Sequence, residues 1–281
     1  MGNPRAALRQ LIGGDPFIAA DCYSALSARI VEFTGFKACY MGGHATSMMH
    51  YAIPDNGSYT PTEAVDQAAR VAEAVQIPVV ADADQAGESV ADVYRTIRRF
   101  ERVGVAGVHI EDEKPPKHSS LAGPLLSPAE MAARISAAAD ARVDADFVII
   151  ARSDEFYVEG GGGSGSLDVA IERGKAYAAA GADVFLPTFA TAEQVEAIAR
   201  EVAIPIATYG PLMPHVAFSL FTGWGTAAAA REHMKWAKHL LDNGELPPEA
   251  YGFDNKDELI GQGFYDDLIR TWATKSGYPT R

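Results

Sequence analysis

The sequence is poor in cysteine, in positive charge and in long apolar runs, and each shortage removes a class of protein. Only Cys22 and Cys39 occur among 281 residues. Two thiols cannot staple a small secreted scaffold, and so sparse a set suits a reducing compartment. Lysine and arginine number 24 against 37 acids, a net charge of −13. A nucleic-acid partner needs a cationic footprint for its phosphates, so that class is excluded. A small anionic substrate remains compatible where a metal or an arginine reverses the local field. The chain has no run of about 18 apolar residues, so no membrane span is expected. Met1 to Ala6 lack the charged-then-apolar layout of a signal peptide, and Ala6 stands where a myristoylation signal has Ser or Thr. The expected setting is the cytoplasm.

What is present is a repeated theme: a short apolar run, a polar tip, then a helix-period segment. The runs fall at residues 17–20, 38–41, 78–81, 107–110, 147–150, 183–186, 205–208 and 216–220. Runs without polar alternation mark strands buried on both faces, as in parallel sheets. Thr60-Pro61-Thr62-Glu63 and Ser127-Pro128-Ala129-Glu130 each combine a capping hydroxyl, a proline at the first helical position and a reciprocal Glu. Thr191-Ala192-Glu193-Gln194 repeats the box with Gln. Eight strands alternating with helices predict one (β/α)8 TIM barrel over residues 1–281, with a C-terminal helical extension from about residue 226. Leu259, Ile260, Phe264, Leu268, Ile269 and Trp272 read as one amphipathic helix, packing on its own barrel or on a neighbouring subunit. Residues 113–124 form a polar, proline-rich loop after the fourth strand, and Gly160 to Gly165 reads as a flexible stretch after the fifth.

The candidate site lies at the strand ends. Asp82 and Asp84 flank Ala83 after the third strand, and in extended backbone residues two apart point the same way. Glu111 ends the fourth strand and Asp55 lies in the loop after the second. Acids converging on one rim repel unless a cation is present, and hard oxygen ligands suit Mg2+ or Mn2+. One such acid reads more readily as a helix cap, but four on neighbouring strands do not. Arg152 can clamp a carboxylate bidentately, or merely pair with Asp154 or Glu155. Lys117 can neutralise developing charge, and Tyr209 can donate a proton. The small residues of Gly42-Gly43-His44 let backbone amides approach an anion.

Taken in order, Asp82-Ala83-Asp84, Gly107 to Asp112, Pro116-Lys117, Ile149 to Arg152 and Ala178 to Asp183 resemble the isocitrate lyase/phosphoenolpyruvate mutase superfamily, from about Ala19 to Gly210. That resemblance implies Mg2+ (or Mn2+) held by Asp82, Asp84 and Glu111 with Asp55 nearby. It implies a substrate gripped by Arg152 and the Gly42-Gly43-His44 turn. It also implies a mobile gate carrying Lys117, and a last helix exchanged between subunits in a homo-oligomer, a dimer or homotetramer. The expected activity is Mg2+-dependent C–C cleavage of a small 2-oxo- or 2-hydroxy-dicarboxylate through an enolate, with Lys117, Ser119, Arg152 and Tyr209 as catalytic candidates.

Departures refine the substrate. Methylisocitrate-cleaving relatives carry a loop Cys where this chain has Ser119, and a hydroxyl is too weak an acid to replace a thiol simply. Residues 85–88 lack the usual Thr-Gly-Tyr-Gly-Asn. Gly42-Gly43 and Thr208-Tyr209-Gly210 resemble the oxaloacetate decarboxylases, although Trp224 stands where those have His. P–C chemistry on phosphoenolpyruvate or phosphonopyruvate is the alternative, and a silent dicarboxylate-binding barrel a third.

Overall fold

The computed structural model describes residues 2–276. In chain order the elements are α1 (Pro4–Ile12), β1 (Phe17–Asp21), α2 (Ala25–Phe33), β2 (Ala38–Met41), α3 (Gly43–Tyr51), α4 (Pro61–Ala74), β3 (Val79–Asp82), α5 (Val90–Arg102), β4 (Gly107–Glu111) and α6 (Pro128–Ala141). There follow β5 (Val148–Ser153), α7 (Leu167–Ala179), β6 (Val184–Pro187), α8 (Ala192–Glu201), β7 (Ala207–Tyr209), β8 (Phe218–Phe221), α9 (Trp224–Asn243), a 3-10 turn (Pro248–Ala250), α10 (Lys256–Leu259) and α11 (Gln262–Ser276).

All strand pairs are parallel, in the order β6-β5-β4-β3-β2-β1-β8-β7. A parallel bridge between Phe185 and Ile206 joins the two ends, so the sheet closes into a (β/α)8 barrel. The helices start where expected. Thr60, Ser127 and Thr191 all form reciprocal capping boxes, with Glu63, Glu130 and Gln194. Ser127→Ala should cost about 1 kcal/mol, the usual worth of such a cap, read as a lower urea midpoint with unchanged m-value.

Two clusters divide the strand side chains. Val148 and Ile150 join Tyr40, Val80, Val184, Leu186, Phe218 and Leu220 in one, while Ile149 and Ala151 join Met41, Ala81, Val108 and Ile110 in the other. This is the period-2 alternation between barrel interior and helix-facing surface. Continuing the inward register places Tyr40, Asp82, His109, Glu111 and Arg152 on the interior at the strands' C-terminal ends. At the opposite end, Gly107 opens β4 and permits a close approach to β5, since a Cβ would lie 2.7 Å from the Val148 carbonyl oxygen.

Packing divides the chain into two compact units between Thr226 and Ala227. In the second unit, the stretch read as one terminal helix is two: α10 ends at Leu259, and α11 begins after Gly261, whose φ is +70°. A left-handed residue stops a helix because it turns the following amides off the axis. Leu259 is buried, whereas Phe264, Ile269 and Trp272 are exposed. Cys22 and Cys39 are unpaired and buried. No helix among the described residues is long and apolar enough to cross a membrane.

Candidate active site and metal centre

At the C-terminal mouth a cavity of about 340 Å3 is lined by polar and aromatic side chains, including Asp55, Asp82, Arg152 and Tyr209. Gly42, Gly43 and His44 line it too, as the first turn of α3. That helix N-terminus faces the acids: the Gly43 amide donates to Asp82 Oδ2 at 2.9 Å. A Cβ at Gly43 would lie 3.0 Å from the same oxygen.

Asp84 reaches the site by a different route from the one expected. β3 ends at Asp82, and Asp84 has a φ of +49°, so the two acids are not alternate residues of one extended strand. Instead the Asp84 amide donates to Asp82 Oδ1 at 2.9 Å, folding the chain back toward the mouth.

Lys117 is fully buried. Its ammonium lies 2.5 Å from Asp84, 2.9 Å from Glu111 and 3.1 Å from Asp55. Burial opposes its charge, but the surrounding acids outweigh that and hold it protonated. The segment after β4 is thus folded over the mouth. Burial likewise pushes Glu111 up to about 8 against the pull of Arg152 and Lys117, and Asp84 up to about 6 against Lys117. The acids exceed the cations that face them. Asp82, His109 and Glu111 each present a ligand atom within 4.8 Å of the others, a set able to hold a divalent metal ion. The residues present therefore fit such an ion.

Arg152 is anchored at both ends of its guanidinium, with Nη1 2.7 Å from Glu111 Oε2 and Nε 3.0 Å from Asp154 Oδ2. Asp154 is held in turn, its amide donating to Asp112 Oδ1 at 3.0 Å. Asp112 points away from the mouth, toward Arg173 at 3.2 Å and Tyr177 at 2.8 Å. Adjacent strand residues thus separate, Glu111 into the site and Asp112 behind it.

Four contributors were not legible as such. Tyr40 OH lies 2.9 Å from both His109 Nε2 and Tyr209 OH, a hydrogen-bonded file across the barrel. Burial lowers His109 to about 4, so its imidazole is neutral, and it lies 3.6 Å from Asp82. His118 and Tyr157 line the cavity. Burial works against the charge of His118, but hydrogen bonds to Asp55 and Glu113 raise it to about 10, making it a cation. The available signal was His109 two residues before Glu111, on the same strand face. Ser119 is not brought to the cavity: its hydroxyl accepts from the Leu121 amide at 3.1 Å and caps its own turn.

The Gly160–Gly165 stretch is packed rather than loose. A Cβ at Gly162 would meet the Gly123 carbonyl oxygen at 2.0 Å, and one at Gly163 the Glu155 carbonyl oxygen at 2.3 Å. The Ser119 amide donates to the Gly160 carbonyl at 3.0 Å. These glycines form the surface on which the Lys117 loop rests.

A closed parallel barrel with buried acids, a clamped arginine and a helix N-terminus at its C-terminal mouth defines a class of metal-assisted, anion-binding TIM barrels. Within that class, the sequence matches the phosphoenolpyruvate phosphomutase family over residues 8–228, and the chain belongs to it, within the isocitrate lyase/phosphoenolpyruvate mutase superfamily. An isocitrate lyase of Haloferax volcanii is 39% identical over 195 residues, 68% of this chain but only 55% of that protein. An oxaloacetate decarboxylase of Rhodopseudomonas palustris (strain BisB5) is 34% identical over 270 residues, 92% of this chain and 91% of that one. The solved structure of oxaloacetate acetylhydrolase with the inhibitor 3,3-difluorooxalacetate matches with a TM-score of 0.84 at 26% identity, covering 99% of both chains.

Proposed function

We propose that this protein is a Mg2+-dependent lyase that cleaves a C–C bond of a small 2-oxo- or 2-hydroxy-dicarboxylate, oxaloacetate- or alkylmalate-like. The observation that carries the reading is that Asp82 and Arg152 line one cavity beside the α3 N-terminus, with Arg152 paired to the buried Glu111, which in turn holds Lys117. Similarity to an oxaloacetate decarboxylase along most of both chains supports it.

Asp82, Asp84 and Glu111, with His109 adjacent, would hold the ion, which supplies Lewis-acid stabilisation of a 2-oxo oxygen when bound. Arg152 and the first turn of α3 bind and orient the substrate carboxylate. In an oxaloacetate-like acid the breaking C–C bond releases CO2 and leaves its electron pair as an enolate, whose developing oxyanion Arg152 stabilises. Tyr209 lines the cavity and donates the proton that quenches the carbanion, regaining it from solvent when product leaves; Tyr40, bonded to both Tyr209 and neutral His109, orients the donor. Lys117, whose ammonium is held here by Asp55, Asp84 and Glu111, would yield Asp84 and Glu111 to the ion and keep its pairing with Asp55. Ser119 has no catalytic part in this scheme. Its hydroxyl serves its own turn, which favours C–C over P–C chemistry, where that loop position would meet the transferring group.

Tyr40→Phe removes the hydroxyl that joins Tyr209 to His109. The variant should lose about 10²-fold in kcat with KM nearly unchanged, measured by steady-state kinetics. Carbon and phosphorus NMR of oxaloacetate, 2,3-dimethylmalate and phosphonopyruvate, each with and without EDTA, tests the activity itself. Metal-dependent pyruvate from either of the first two is expected; turnover that survives EDTA would overturn the reading. The same reading places the protein in the cytoplasm as a homo-oligomer, a dimer or tetramer, with the exposed apolar residues of α11 at a subunit contact.

A further inference from the structure

The lining of the cavity changes character away from Arg152. Arg152 Nη2 lies 3.5 Å from His118 Nε2, the His118 ring lies 5.5 Å from Tyr157, and Tyr157 meets Phe189 edge-on at 5.1 Å. The file runs from a guanidinium to two neutral aromatic rings. Phe189 follows β6, with a φ of +62°. Bulky L residues avoid that region, and those found there cluster at sites whose geometry serves a ligand. The ring is 60% exposed, so burial within this chain does not offset the strain. Beside it Thr188 is 1% exposed, lines the same cavity, and its hydroxyl has no hydrogen-bond partner among the described residues. Protein groups leave both the ring and the hydroxyl unserved.

The cavity is also larger than a three-carbon acid requires. An engineered cavity of about 150 Å3 takes benzene, with six heavy atoms, the same number as pyruvate. The cavity here measures about 340 Å3. The volume beyond pyruvate takes whatever the cleaved bond attaches to it, a second carboxylate or a substituent.

We propose that Tyr157 and Phe189 form an apolar shelf that selects an acid bearing a bulky alkyl or aryl substituent beyond its 2-oxo or 2-hydroxy carbon. This rests on the lyase reading of the same site and deepens it, by naming the part of the substrate that Arg152 does not hold. Aromatic rings at a cavity mouth give an apolar substituent both area and edge-to-face contacts.

Oxamate and its N-ethyl, N-isobutyl and N-benzyl derivatives carry one acid head with graded apolar tails. Calorimetric titration of the Mg2+-loaded protein, with oxalate as a tail-free reference, reads the shelf directly. Affinity should rise along the series, with N-benzyloxamate about tenfold or more tighter than oxamate, equivalent to about 1.4 kcal/mol. Phe189→Gly removes both the ring and the strained φ. It should bring that ratio close to one while the melting temperature holds or rises. Equal affinities across the series in the parent protein, or a ratio that persists in Phe189→Gly, would overturn the shelf and leave the lyase reading standing. No binding of any member, oxalate included, would overturn the lyase reading and the shelf with it.

Discussion

Asp82→Asn should lower kcat about a thousandfold and abolish the rise in melting temperature that Mg2+ brings to the parent protein. Asp82 takes hydrogen bonds from the Gly43 and Asp84 amides, both at 2.9 Å. Asn retains an oxygen for one of them but turns its NH2 toward the other amide. The variant should therefore also lose about 1–3 kcal/mol of stability, and its Mg2+ shift is read against its own metal-free melting temperature. A thousandfold corresponds to about 4 kcal/mol of barrier, within the several kcal/mol that a Lewis acid supplies. Binding linkage sets the second readout: a metal at a hundred times its Kd stabilises by about 2.7 kcal/mol, and a variant that cannot bind it gains nothing. Steady-state kinetics and thermal melts with and without Mg2+ check both. A normal rate would show that the site is misplaced. A full Mg2+ shift in the variant would move the ion to other ligands.

Gly163→Ala should also be damaging, although residue 163 does not line the cavity. Its Cβ would stand 2.3 Å from the Glu155 carbonyl oxygen and 2.4 Å from that of Asp154. Both are backbone atoms, so relief requires moving the end of β5 or the glycine loop. Overpacking of this kind costs up to about 3 kcal/mol. Because Asp154 holds Arg152, a shift of about 1 Å there would cost up to roughly 10²-fold in rate. Gly165→Ala is the control. Its φ of +78° makes alanine strained, but the nearest atom is a side-chain carbon of Val158 at 3.3 Å. It should cost about 1 kcal/mol of stability and leave kcat intact. Urea melts and steady-state rates on the two variants separate packing from backbone strain. Similar kcat values in both would show that the glycine loop does not support the site.

The barrel was legible because its signals are local and repeated. Parallel strands buried on both faces print as uninterrupted apolar runs, and capping boxes need only residues three apart. The acids and Arg152 were legible for a related reason: strand ends of a barrel gather at one mouth whatever the helices between them. Asp84 was expected beside Asp82 on an incorrect premise, since extended backbone stops at Asp82 and a left-handed turn does the rest. Tyr40 and His109 were not legible, because each sits inside an apolar run and reads as packing until the strands are laid side by side. Lys117 carried no local mark of burial, and only the fold sets three carboxylates around it.

What the sequence determined alone is thus the periodic part: eight strands, their helices, the caps, and the identity of groups at strand ends. Short-range sterics and hydrogen bonding govern those, and both are written in neighbouring residues. Tertiary structure decided which way each group faces and what meets it. Glu111 and Asp112 are adjacent in sequence, yet one joins the site and the other an ion pair with Arg173 behind it. The glycines after β5 read as slack in sequence and are tightly packed in space, because the atoms that confine them come from Gly123 and from the backbone that carries Arg152. Their constraint is steric and non-local.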